Sequence, residues 1–178
     1  LSGPFRGMRY LDEIVWGSIT PKWLGSYECE LHDTIEEIVA EPYSTIIDIG
    51  CAEGYYAVGL AFRIPSARVF AYDTDFLSRG QVARLARRNG VQSRVRVNKF
   101  CTAAEITRLH SGRTLVFCDI EGSERNVLDP VACPALQTAD ILVEVHEEKW
   151  VPTMEDLLVE RFSPTHSIQT IRATDRRE

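Results

Sequence analysis

The spacing of apolar residues changes period several times along the chain. In "YECELHDTIEEIVAEP", residues 27–42, Leu31, Ile35, Ile38 and Val39 follow i, i+4, i+7 and i+8 spacing, which predicts an amphipathic helix stopped by Pro42. The pattern then turns strand-like in "STIIDIG" (44–50) and helical in "EGYYAVGLAFRI" (53–64), which Pro65 ends. Strands follow at 67–73, 93–100, 113–120 and 139–147, and a sixth is predicted at 167–173, "SIQTIRA". Helices are predicted at 78–90, where Gly90 forms the C-terminal cap, at 103–110 and at 153–162. Strand and helix alternate almost throughout. Parallel strands joined by right-handed crossovers satisfy that order, giving an α/β, Rossmann-like, doubly wound and mostly parallel sheet. Residues 1–44 form an N-terminal helical extension or lid, and residues 45–178 form the core.

Composition narrows the class. The 178 residues fit one domain with a full hydrophobic core, and 44% hydrophobic with 26% charged residues is ordinary for a globular protein. A net charge of −6 gives no bulk attraction to nucleic acid or to an anionic membrane. No apolar run approaches the ~18 residues that a membrane span needs. No signal peptide is visible, and the first residue is Leu1 rather than Met, which points to a start further upstream. The five cysteines, Cys29, Cys51, Cys101, Cys118 and Cys133, are scattered and contain no C-x-x-C pair. They read as reduced thiols in a cytoplasmic protein, not as a disulfide framework or a zinc site. The basic run holding Arg84, Arg87, Arg88, Arg94, Arg96 and Lys99 lacks interleaved aromatics, so a solvated face is favoured over a nucleic-acid stripe.

The turn after the first strand reads Asp48-Ile-Gly50-Cys-Ala52-Glu53-Gly54. Such glycines let a ligand approach the backbone, at the carboxyl end of a strand where open α/β sheets bind ligands. The G-x-G-x-x-G spacing of dinucleotide enzymes is absent, and Asp48 and Glu53 place negative charge where a pyrophosphate would sit. A cationic ligand is favoured instead. S-adenosylmethionine (SAM) carries a sulfonium and an ammonium, and an acid before the first glycine suits the ammonium. Asp73, ending the second strand, suits ribose hydroxyls of either NAD or SAM, or else serves as a helix cap. The candidate cofactor set is Asp48, Gly50, Ala52, Gly54, Tyr56, Asp73, Thr74, Thr102 and Asp119. For Tyr56 the alternative is helix packing, and for Thr102 it is ordinary loop packing.

"DIGCAEGYYAVGLA" resembles motif I of class I SAM-dependent methyltransferases. "FCDIEGSERNVLD" and "ILVEVHE" are similar to the stretches after strands four and five in the FkbM methyltransferase family. The resemblance spans roughly residues 45–146. It implies a SAM-dependent methyltransferase acting on a sugar or natural-product hydroxyl. The chain departs from the family pattern at Glu53, where Asn is common, and at "YDTD", where Glu-Pro is common. It also ends soon after the predicted sixth strand, short of the usual antiparallel hairpin.

An oxygen nucleophile needs a base or a metal to take its proton. Asp119 and Glu121 lie two apart after strand four, and Glu144 and His146 repeat that spacing after strand five, so each pair points one way from extended backbone. The catalytic candidates are therefore His146, Glu144, Asp119 and Glu121. In one reading His146 is the base, oriented by Glu144 or Asp119. In a less favoured reading the four residues hold a divalent metal such as Mg²⁺ or Mn²⁺, and no metal ligand is assigned. In the remaining reading Glu121 and Glu124 flank the helix "SERNVL" and His146 is an exposed strand-end residue. The partner is expected to be a small-molecule or glycan hydroxyl. A nucleic-acid methyltransferase and a non-catalytic binding domain on the same fold are the alternatives, and the oligomeric state is left open.

Overall fold

The structure is a computed structural model that describes residues 1–146 and 152–173. Five strands, β1 (Thr45–Ile49), β2 (Arg68–Tyr72), β3 (Val95–Asn98), β4 (Thr114–Cys118) and β5 (Asp140–Val143), form one sheet in the order β3-β2-β1-β4-β5. Every pairing is parallel. The chain winds outward from β1 in one direction and from β4 in the other, so the topological switch point lies between these two strands. β1 and β4 are buried at all five positions, as expected for central strands covered on both faces.

Alternate residues feed two cores. Ile46, Val69 and Leu115 face a core completed by α2 (His32–Ala40), α3 (Tyr55–Arg63) and α4 (Phe76–Arg88). Ile47, Phe70 and Val116 face a second core with α5 (Ala103–Leu109) and α7 (Met154–Phe162). The aperiodic N-terminal stretch carries a short helix, α1 (Ile19–Leu24), and contributes Phe5, Met8, Tyr10 and Leu11 to the first core. Phe5 sits over Gly59 in α3 and meets the rings of Tyr55 and Tyr56 edge-on, with centroids 5.0 and 6.0 Å away. Residues 1–44 therefore share the core of the sheet domain.

Two expectations are corrected. Residues 167–173 form no strand: they line a groove of about 430 Å³ together with Ile141–Val145 and residues of α7, and pair with no strand of the sheet. The helix expected over 27–42 is shortened to a 3₁₀ turn (Cys29–Leu31) and α2, because Glu28 takes a left-handed backbone, φ 44°. Glu147, at the end of the predicted fifth strand, lies outside the described residues. No described helix is long and apolar enough to cross a membrane.

Candidate active site at the carboxyl edge of the sheet

Register fixes which side chains meet. Ile49 is level with Tyr72 and with Cys118, so the residues that follow these strands emerge together. Gly50 and Cys51 donate to the Tyr72 carbonyl at 2.8 and 3.0 Å, Asp119 N–H donates to the Ile49 carbonyl at 2.9 Å, and Glu144 N–H to that of Cys118 at 2.9 Å. Gly50 has φ 87°, and a Cβ there would overlap the Asp119 carbonyl oxygen, so the turn packs against β4 only with glycine at this position. Asp73 clamps the turn: one carboxylate oxygen accepts from Ala52 N–H and the other from Asp75 N–H, both at 2.8 Å. Asp75, not Asp73, caps α4 by accepting from Ser78 N–H. Thr102 caps α5 through Glu105 N–H, and Arg79 holds the Thr74 carbonyl.

The acids flanking the turn have different environments. Glu53 is fully buried and accepts from Tyr10 Oη and from Lys22 Nζ of α1. This ion pair corrects the expectation that Glu53 adds free negative charge to the turn. Asp48 is also sealed, under the start of α3, with one carboxylate oxygen lacking a hydrogen-bond partner among the described residues. Burial, and then the nearby Asp119 and Asp73, push its carboxyl up to about 8. Lys22, Tyr27, Asp48, Tyr56, Phe117 and Asp119 enclose a cavity of about 30 Å³. Tyr56 stacks on Phe117 at 4.4 Å and donates to Glu28, while Lys22 Nζ lies 4.6 Å from the centre of the Tyr27 ring.

The predicted cluster assembles. His146 Nδ1 is 3.1 Å from Oε1 of Glu124. With a carboxylate opposite, Nδ1 donates to Glu124, and Nε2 is turned toward the other acids. Nε2 faces Glu121 at 3.4 Å, Asp119 at 3.7 Å and Glu144 at 3.8 Å. Burial, then Glu144, raises the Asp119 carboxyl to about 7, against a downward pull from His146. Glu144 is also raised, by burial and then by Glu28. Burial pulls His146 down, but its bond to Glu124 and the charges of Asp119, Glu121 and Glu144 leave it above the ordinary imidazole range. His146 is thus a partly covered member of an acidic cluster, not a bare strand-end residue. Three non-glycine residues with positive φ among the described ones, Glu28 (44°), Ala52 (44°) and Glu121 (54°), all border this region. Strain of this kind gathers where a site dictates the backbone.

Lys22, Glu28 and Phe117 carry no signature in the sequence that places them in this region. Glu124 was legible only as a helix-flanking acid: its Oε1 does lie 3.2 Å from the N–H of Ile120 and of Gly122, and it also orients His146. The basic run is partly consumed by structure, since Arg88 donates to the Tyr10 carbonyl and Arg94 to those of Ile64 and Ala67.

No family model matches the chain, and no curated protein sequence matches it. Solved structures do. A provisionally assigned O-methyltransferase from Klebsiella pneumoniae is 12% identical with TM-score 0.52, over 88% of this chain and 73% of its own. A provisionally assigned rRNA methylase from Clostridium thermocellum is 15% identical with TM-score 0.52, over 78% of this chain and 83% of its own. Precorrin-6y C5,15-methyltransferase from Geobacter metallireducens GS-15 is 11% identical with TM-score 0.51, over 76% and 66%. The chain spans only 48% and 39% of the length of two other solved structures that it matches. At these identities the likeness is one of fold: the sheet and its helices are built as in those three proteins.

Proposed function

We propose that this chain is a SAM-dependent methyltransferase of the FkbM-like type, directed at a hydroxyl oxygen of a small molecule or glycan. The observation that carries the reading is the convergence of Asp48, Glu28, Asp119 and Glu144 with Tyr27, Tyr56 and Phe117 around the glycine turn. Carboxylates and aromatic faces that share a partly dry cavity favour a cationic ligand. The oxygen of Asp48 that has no partner among the described residues fits a ligand with an ammonium group lying against the turn. SAM supplies a methyl group already activated on a sulfonium. The chain's own work is then to orient the acceptor, exclude water and remove a proton.

Asp73 holds the turn in shape and retains lone pairs for ribose hydroxyls. The segment 27–31, carrying Tyr27 and Glu28, acts as the lid, because the present cavity of about 30 Å³ is far below the ~300 Å³ of small ligand pockets and Tyr27 is part of its lining. The acceptor hydroxyl lies against Asp119, Glu121, Glu144 and His146, which activate it. The test is release of S-adenosylhomocysteine when the purified chain meets SAM and a panel of sugars and small hydroxy compounds. Turnover with a hydroxyl acceptor, reduced at least tenfold by Asp119→Asn, supports the reading. SAM binding without turnover of any acceptor favours a binding domain.

A further inference from the structure

Three donors at the carboxyl edge lie where one cation could bind them. An oxygen of Asp119, an oxygen of Glu144 and a ring nitrogen of His146 are all within 4.8 Å of one another. Donors on one octahedral ion with bonds of about 2.1–2.2 Å lie about 3 Å apart when adjacent and just over 4 Å when opposite. The separations of 3.7 and 3.8 Å from His146 Nε2 to Asp119 and Glu144 exceed the adjacent spacing by less than about 1 Å, so small side-chain rotations bring both acids onto one ion with the imidazole. The imidazole is also prepared from behind. Glu124, wholly buried, accepts from Nδ1, and a carboxylate in that place fixes the tautomer that offers Nε2 to a metal.

One buried oxygen adds to this. Asp119 Oδ1 faces His146 Nε2, is sealed from solvent and has no hydrogen-bond partner among the described residues. Hydrogen bonding among the described residues therefore leaves acceptor capacity of Asp119 unused where the three donors meet. Glu121, 3.4 Å from Nε2 and largely exposed, can serve as a further ligand or bind a coordinated water.

From this geometry we propose a divalent-cation site formed by Asp119, Glu144 and His146, with Glu124 as the positioning residue. Two carboxylates and one imidazole suit Mn²⁺, which accepts both oxygen and nitrogen donors and keeps its other positions for water or a substrate oxygen. The proposal rests on the methyltransferase reading only for its use: the cation would bind the acceptor hydroxyl and acidify it, with His146 a ligand, not the base. The site itself stands on the donor geometry.

The experiment is calorimetric titration of the metal-free full chain with Mn²⁺, in parallel with SAM titration of the same preparation. The expected result is one Mn²⁺ per chain. Binding should weaken at least tenfold in Asp119→Asn and in His146→Ala, and about 10- to 100-fold in Glu124→Gln. Quenching of the free Mn²⁺ electron-spin signal gives a second readout that needs no turnover, and Glu144→Gln is a further ligand variant should His146→Ala fail to fold. SAM binding with no Mn²⁺ binding at millimolar concentration, or Mn²⁺ binding equal in the wild type and Asp119→Asn, would overturn the cation site and leave the methyltransferase reading intact. Mn²⁺ binding that the variants abolish, without SAM binding, supports the site and removes the methyltransferase reading.

Discussion

Replacing Gly59 and Gly80 by alanine, one at a time, should move stability in opposite directions. Both glycines lie inside helices, α3 and α4, where alanine is favoured over glycine by about 1 kcal/mol. At Gly80 a Cβ meets nothing within 4 Å, so Gly80→Ala should gain about that amount. At Gly59 a Cβ would lie 2.6–2.7 Å from three atoms of the Phe5 ring. Phe5 has no exposed surface and is held against Tyr55 and Tyr56, so it cannot slide aside cheaply. Overpacking of that kind costs about 1–3 kcal/mol, and the confinement of the ring places this case near the upper end. The net expectation is a loss of about 1–2 kcal/mol for Gly59→Ala, hence a gap of about 2–3 kcal/mol between two chemically identical changes. In a chain of this size each kcal/mol moves Tm by about 2–4 °C. Urea unfolding followed by tryptophan fluorescence reads it, because Trp16 and Trp23 lie in the N-terminal segment that Phe5 anchors. A Gly59→Ala protein as stable as Gly80→Ala would refute the docking of residues 1–11 on α3.

Two further outcomes follow from the buried charges. Lys22→Met should cost about 3–5 kcal/mol by leaving Glu53 buried without its cation, and Glu53→Gln in the same chain should restore most of that loss in urea unfolding. Asp48→Asn should stabilise the protein in a pH-dependent way. A carboxyl whose folded pKa is raised binds more protons folded than unfolded, so its cost is absent below about pH 4 and accumulates as pH rises toward about 8. The Tm of the variant should therefore exceed that of the wild type at pH 7.5 and converge with it below about pH 4. A gap that stayed constant with pH would show that Asp48 does not titrate as described.

The parallel sheet was readable because β1 and β4 are covered on both faces and so appear as short apolar runs, interrupted in β1 by Asp48. The place of Asp48, Gly50, Gly54 and Asp73 at strand ends and in the turn was readable because such positions carry local signatures. The Lys22–Glu53 pair was not: its partners stand 31 residues apart, and nothing near Lys22 distinguishes it from a surface lysine. The N-terminal stretch hides Phe5, Met8 and Leu11 from any periodicity argument, since turns and short 3₁₀ segments impose no repeat. "SIQTIRA" has strand-like alternation, but a strand exists only with a partner at hydrogen-bonding distance, and that is a property of the fold, not of seven residues. His146 and Asp119 were placed together correctly because each follows a neighbouring strand. The buried Glu124 that orients the imidazole was visible only as a helix-flanking acid.

The most direct test of the account is calorimetric titration of the purified chain with SAM, alongside NAD, for the wild type and for Asp48→Asn. Saturable SAM binding, weakened at least tenfold by the substitution, with no heat from NAD, is the predicted result. Binding of NAD, or SAM affinity that Asp48→Asn leaves unchanged, would contradict a cation-receiving turn at the carboxyl edge of β1.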